Sequence, residues 1–313
     1  MRWKLLLSIL VVCLLVNVSL AAAVVIGKKP EPPPPADPAI AYRGGDSIWV
    51  MNADGSNQAV VLDEAEYPGF EVFGELSWSP DGASLAFGGH YCTDGTYGIF
   101  ILDITVVDGV PQGSGFRQIV SDEDCHICIN PAWSPTGDEI AVERHPNFVG
   151  PRTIFVVSPE GGPVETIYSQ PYGVGILRFA TWNSDGTRLA FWEAAYSVYS
   201  IKILDRASLE VTHTLLEGQF SAPFGLDWAR QGVDTLVFAN EAESPTRTYT
   251  VDIDTEEVTS LVDGNTPTWS PDNSKVAVRT MKGQRQHFVS SYDIESGELT
   301  QLARGGYGPD WKR

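Results

Sequence analysis

Basic residues are scarce. The 313-residue chain has 21 Lys and Arg against 40 Asp and Glu, a formal charge of −19 at neutral pH. Such a surface repels phosphate backbones, which excludes nucleic acid as a partner. No Lys/Arg cluster exists to hold anionic lipid, so a membrane could be reached only through an N-terminal anchor. Catalytic signatures are also missing. Without a Gly-x-Ser-x-Gly elbow there is no serine-hydrolase domain, and neither a phosphate-binding P-loop nor a His-Glu-x-x-His zinc motif occurs. Gly173-Val-Gly175 lacks the third glycine of a dinucleotide loop and reads as a turn. What is plentiful is apolar residues (43%), Gly (30), Pro (21) and aromatics (11%). That mixture gives a packed core of short strands joined by many turns.

The N-terminus carries Arg2 and Lys4, then an apolar run from Leu5 to Ile26. Small residues at Ser19, Ala21 and Ala23 suit cleavage, giving a signal peptide over 1–23. The same run to residue 26 is about long enough for a retained anchor, and the two readings stay open. Cys13 follows Val12, so the small residue of a lipoprotein box is absent. Either way the rest of the chain is expected in the periplasm or outside the cell, free or tethered by residues 5–26. Residues 24–38, rich in proline, read as a stiff polyproline II linker.

A repeat fills residues 39–313. Trp78-Ser-Pro-Asp-Gly82 with Leu85-Ala86-Phe87 is echoed by Trp133-Ser-Pro-Thr-Gly137 with Ile140-Ala141-Val142. Trp182-Asn-Ser-Asp-Gly186 precedes Leu189-Ala190-Phe191, and Trp269-Ser-Pro-Asp-Asn273 precedes Val276-Ala277-Val278. Trp228 heads a degenerate copy, and Trp311 closes the series. The tryptophans fall roughly 40–55 residues apart, the range of propeller blades. Each unit spells four strands: a Trp strand, an apolar-small-apolar strand, an alternating strand such as Ile99–Asp103, and a short one such as Gln118–Val120. The small central residue suits a strand near a crowded axis. The N-terminal portion starts at strand two, Ile40-Ala41-Tyr42, and the C-terminus ends on a Trp strand. The expected fold is therefore all-β, a six-bladed β-propeller closed by one C-terminal strand joining three N-terminal strands.

The Trp-Ser-Pro-Asp-Gly turns and the segment Ile48-Trp-Val-Met-Asn-Ala-Asp-Gly-Ser-Asn57 resemble the propeller of the TolB-like, WD40-like repeat family. The resemblance covers residues 39–313 and implies the fold more than a task, because propellers host many functions. TolB proper has an α/β domain ahead of its propeller, for which this sequence is expected to have no room. The family also implies that ligands dock where the loops between strands two and three, and between blades, surround the channel mouth. Those loops are expected at 63–75, 88–98, 121–131, 144–152, 169–180, 193–199, 217–227 and 240–247. They carry Tyr67, Phe70, Phe73, Tyr91, Phe148, Tyr172, Tyr196, Phe220 and Phe224, with Tyr307 nearby. Loop aromatics give large contact area at low entropic cost and suggest a docking face for a protein or peptide. The competing reading is that half of them plug the loops onto the rim.

Of the three cysteines beyond the N-terminal segment, Cys92 lies in one such loop and Cys125 and Cys128 in the next. In an oxidising compartment a disulfide from Cys92 to Cys125 or Cys128 is the default. A Cys125–Cys128 redox pair and a metal site of His90, Cys92, Cys125, His126 and Cys128 are the alternatives. His145, His213 and His287 read as rim residues. Asp122, Glu123, Asp124, Glu241 and Glu243 read as a solvated acidic rim without a spaced calcium motif. The sequence thus describes an exported, non-catalytic binding scaffold, expected to act as a monomer without a cofactor. The alternative is a propeller lyase or hydrolase acting on a sugar with metal at the channel mouth.

Overall fold

Four-residue turns of the Ser-Pro-Asp-Gly kind fold the chain into antiparallel hairpins. In the first, the Ser79 hydroxyl donates to Asp81 and accepts from the amide of Ser84, while Asp81 accepts from the amide of Ala83. The computed structural model describes residues 37–45, 47–92, 95–121, 127–145, 151–170, 175–283 and 286–313. The expectations for residues 1–36, signal peptide, anchor and most of the linker, lie outside them.

The hairpins make six four-stranded antiparallel sheets. The first blade is β4 (Phe70–Trp78), β5 (Ser84–Tyr91), β6 (Thr96–Val107) and β7 (Val110–Val120). The second is β8 (Ile127–Trp133), β9 (Ile140–His145), β10 (Arg152–Val157) and β11 (Glu165–Gln170). The third is β12 (Gly175–Trp182), β13 (Arg188–Ala195), β14 (Val198–Asp205) and β15 (Val211–Leu215). The fourth is β16 (Pro223–Trp228), β17 (Thr235–Asn240), β18 (Arg247–Asp252) and β19 (Val258–Asp263). The fifth is β20 (Asn265–Trp269), β21 (Lys275–Lys282), β22 (Gln286–Asp293) and β23 (Leu299–Arg304). In the sixth, β24 (Gly306–Trp311) pairs with β1 (Ile40–Gly44), which is followed by β2 (Ser47–Met51) and β3 (Ala59–Asp63). Ile40 faces Trp311 in that pairing, and the Lys312 amide donates to the Ala39 carbonyl at 2.7 Å. The six blades and the closing strand are as the repeat predicts.

The core lies between blades. Six clusters of buried residues correspond to the six blade-to-blade interfaces. The small residue in the middle of strand two has a different cause from crowding at the axis. Ala86 shares its cluster with Trp133, Ala141 with Trp182, Ala190 with Trp228, Ala277 with Trp311 and Ala41 with Trp78. Each small side chain leaves room for the tryptophan of the following blade. In the degenerate fourth blade, Val237 stands there against Trp269.

The tryptophan backbones also join the blades. The amides of Trp133, Trp228, Trp269, Trp311 and Trp78 donate to the side chains of Ser77, Thr181, Asp227, Thr268 and Asp310 respectively, at 2.8 to 3.5 Å. Each acceptor is the residue just before the tryptophan of the preceding blade. At that position the second blade has Ala132, which offers Trp182 no side-chain acceptor.

Every innermost strand carries a register shift a few residues before its tryptophan, for example between Phe73 and Leu76 or Ile129 and Ala132. A residue with positive φ sits at each: Gly74, Asn130, Phe179, Gly225, Thr266 and Gly308. These bulges let the strands bend and continue into segments read from the sequence as loops. Residues 70–75, 88–91, 127–131 and 175–180 are consequently strand, and the loops are shorter than expected.

Candidate functional site

The inner strands line a pocket of about 70 Å³ bordered by Glu75, Ser77, Asn130, Thr181, Asp227, Thr268, Asp310 and Arg313, among others. It is too small for a substrate of ordinary ligand size, which needs several hundred Å³. Its charges are tightly held. Asp227 accepts from Thr181 at 3.1 Å, Thr268 at 3.1 Å, the Trp269 amide at 2.8 Å, and both terminal nitrogens of Arg230 at 3.0 Å. Burial first, and then the neighbouring Asp227, push the Asp310 carboxyl up to about 7 against the Trp78 amide that it accepts. Burial likewise raises Glu75, with Arg43 and Arg279 opposing, and lowers Arg313 to about 10.

The loops between strands two and three and those between blades share one face, as the register of the hairpins requires. Among the expected docking residues, Phe70 is a correction. It is 1% exposed in the core of the first blade, because β4 begins there. Tyr67 and Tyr91 pack on the same cluster, Tyr67 against Phe116 at 4.7 Å and Tyr91 against Phe70 at 5.0 Å. Phe220 packs on Phe238 at 4.9 Å, and Phe224 on Phe179 at 4.7 Å. Tyr307 lies under the Arg279 guanidinium at 4.1 Å and beside His287. Tyr196 differs from these: it is 83% exposed. It forms with Ser197 the two-residue link from β13 to β14, and both have positive φ, 51° and 69°. Phe148 and Tyr172 lie outside the described residues.

A group that the sequence signalled only in part, through His90 and Cys92 without Glu71, forms at the loop end of the first blade. Glu71 on β4 stands directly opposite His90 on β5. The His90 Nε2 lies 3.8 Å from a Glu71 carboxylate oxygen and 3.4 Å from the Cys92 Sγ. The imidazole stacks on Tyr97 at 4.9 Å and meets Phe73 edge-on, and its Nδ1 is buried without a partner among the described residues. A hydrogen bond to Glu71 raises the pKa of the exposed Cys92 thiol. Only the ladder register brings Glu71 to His90, because nineteen positions separate them in sequence.

The disulfide from Cys92 is not formed: Cys92 is a free thiol. Cys128 sits inside β8 rather than in a loop, wholly buried at the interface of the first two blades. It is disulfide-bonded. Of the five metal candidates, the structure therefore brings His90 and Cys92 together and leaves Cys128 in the core. Cys125 and His126 lie outside the described residues, as do Asp122, Glu123 and Asp124. Glu241 accepts from the Asn265 amide nitrogen at 2.8 Å, and Glu243 from the Tyr249 hydroxyl at 2.7 Å. Of the rim histidines, His145 contacts the buried Glu143 at 3.6 Å, while burial and Arg279 lower the pKa of His287. His213 is exposed on β15.

Among the described residues, no helix is long and apolar enough to cross a membrane. No protein-family model matches the sequence, and no curated protein is similar to it in sequence. Solved structures are similar in fold. TolB from Acinetobacter baumannii superposes with a TM-score of 0.68 at 18% identity, over 90% of this chain and 68% of that one. A chain of the nidogen/laminin complex gives 0.66 at 12% identity, over 88% and 99%. An oligogalacturonate lyase in complex with manganese gives 0.53 at 16% identity, over 86% and 74%. In fold, the chain is a TolB-like six-bladed β-propeller.

Proposed function

We propose that this propeller is an exported, non-catalytic scaffold that docks a protein or peptide on the face bearing the strand two-to-three loops. The observation that carries the reading is Tyr196. Two-residue hairpin links with positive φ at both positions favour Asn-Gly, and a side chain such as Tyr there costs roughly 1–2 kcal/mol. A large aromatic held almost fully exposed in a strained turn is the kind of outlier that marks a binding site. Its neighbour Val198 is 43% exposed and extends the apolar surface. The small volume between the inner strands, about 70 Å³, supports the face over the channel in this reading. The similar chain in the nidogen/laminin complex supports protein binding by a propeller of this size. The envelope location rests on the N-terminal apolar run and on the likeness to TolB.

The test uses Tyr196→Asn. We expect it to raise stability by roughly 0.5–1 kcal/mol in urea unfolding, because Asn tolerates the left-handed region, and to lose at least tenfold in partner capture from an envelope extract. Full capture by this stabilised variant would place docking elsewhere. A second reading, a metal-dependent enzyme acting on a sugar, is supported by the fold of the manganese-bound lyase and by the Glu71–His90–Cys92 group. Uronide cleavage that depends on added metal would favour it over the scaffold.

A further inference from the structure

We propose that Glu71, His90 and Cys92 form a zinc site on the loop face of the first blade, with carboxylate, imidazole Nε2 and thiolate as three ligands and solvent as the fourth. The donor atoms all lie within 4.8 Å of one another. Around a tetrahedral zinc, bond lengths of about 2.3 Å to sulfur and about 2.0–2.1 Å to nitrogen place those two ligands roughly 3.5 Å apart. The Cys92 Sγ and His90 Nε2 are 3.4 Å apart before any ion is added. The carboxylate oxygen, at 3.8 Å from Nε2, belongs to an exposed side chain that closes the small remainder by rotation.

Three features hold the donors in place. The β4–β5 ladder sets Glu71 against His90. The Cys92 amide donates to the Gly69 carbonyl at 2.6 Å, which anchors the thiol-bearing residue to the segment entering β4. Tyr97 and Phe73 fix the plane of the imidazole. One sulfur, one nitrogen and one oxygen ligand select a borderline cation such as Zn²⁺ over Ca²⁺ or Mg²⁺, which take oxygen. With Glu71 and Cys92 exposed, the fourth position opens to solvent, the arrangement of a zinc that accepts a ligand. Binding replaces the thiol proton, which leaves to water, so affinity rises with pH. The site does not depend on the docking reading, since it is read by the metal and not by a partner.

The experiment is titration of the full, untagged, metal-free chain with Zn²⁺ and with Co²⁺ as a spectroscopic substitute. We expect one ion per chain, a thiolate-to-cobalt charge-transfer band, and protection of Cys92 from a thiol reagent by zinc. Cys92→Ser and His90→Gln should abolish the band, and Glu71→Gln should weaken binding about tenfold or more. All three positions are at the edge of the blade, so unchanged thermal unfolding of the variants separates ligand loss from misfolding. Absence of the band in the wild type, or a band that survives Cys92→Ser and is lost in Cys125→Ser, would overturn the assignment.

Discussion

Asp310 is one residue that ties the stability of the fold to pH. The carboxyl titrates near 7 in the native state, whereas the unfolded chain releases the same proton near 3.8. The folded form therefore binds more protons between those values. Its contribution to stability is complete below about 3.8 and is lost as pH rises through about 7. Asp310→Asn keeps an acceptor for the Trp78 amide and removes the titration. Its melting temperature should gain on that of the wild type by roughly 2 °C or more between pH 4 and pH 7. Equal slopes for the two proteins would place the titration elsewhere. The aromatic residues at this scale were only half legible. Composition and loop position singled out Tyr67, Phe70, Tyr91, Tyr196, Phe220 and Phe224 alike, but packing separates them. Tyr196 alone of these is mostly exposed, because it sits on a two-residue link with no rim to lean on.

At the scale of the element, the repeat located strands two and three, because each has an unbroken apolar pattern beside a strong turn, although β5 and β6 run further than that pattern, to Tyr91 and Val107. The innermost strands were read too short. Their bulges at positive φ interrupt the alternation, so residues before the bulge resemble loop. That is also why the sequence pattern puts Cys128 in a loop and gives no link between Glu71 and His90. Both facts depend on strand that only the ladder reveals. The pairing of small residue with neighbouring tryptophan gives a direct test of blade packing. Ala190→Leu would drive a branched side chain into the space of Trp228, and both positions are fully buried. It should cost roughly 1–3 kcal/mol in chemical denaturation. A leucine at an exposed strand position such as Thr300 should be close to neutral.

For the whole molecule, stability rests on six interfaces and on the set of tryptophan amide bonds that crosses them. The set is interrupted at Ala132. Ala132→Ser places a hydroxyl where Ser77 has one and should add about 0.5–1.5 kcal/mol of unfolding free energy, measured in urea. A variant no more stable than the wild type would mean that the Trp182 amide is already satisfied. The closing pair of β24 with β1 has a wider consequence. Because Trp311 lies beside Ile40 and the Lys312 amide reaches Ala39, the two extremities of the propeller meet in one sheet. The starting point of the polypeptide is then arbitrary with respect to the ring. A short peptide could bridge residues 313 and 37, and new ends could open at the Asp108–Gly109 hairpin, leaving every blade neighbour unchanged.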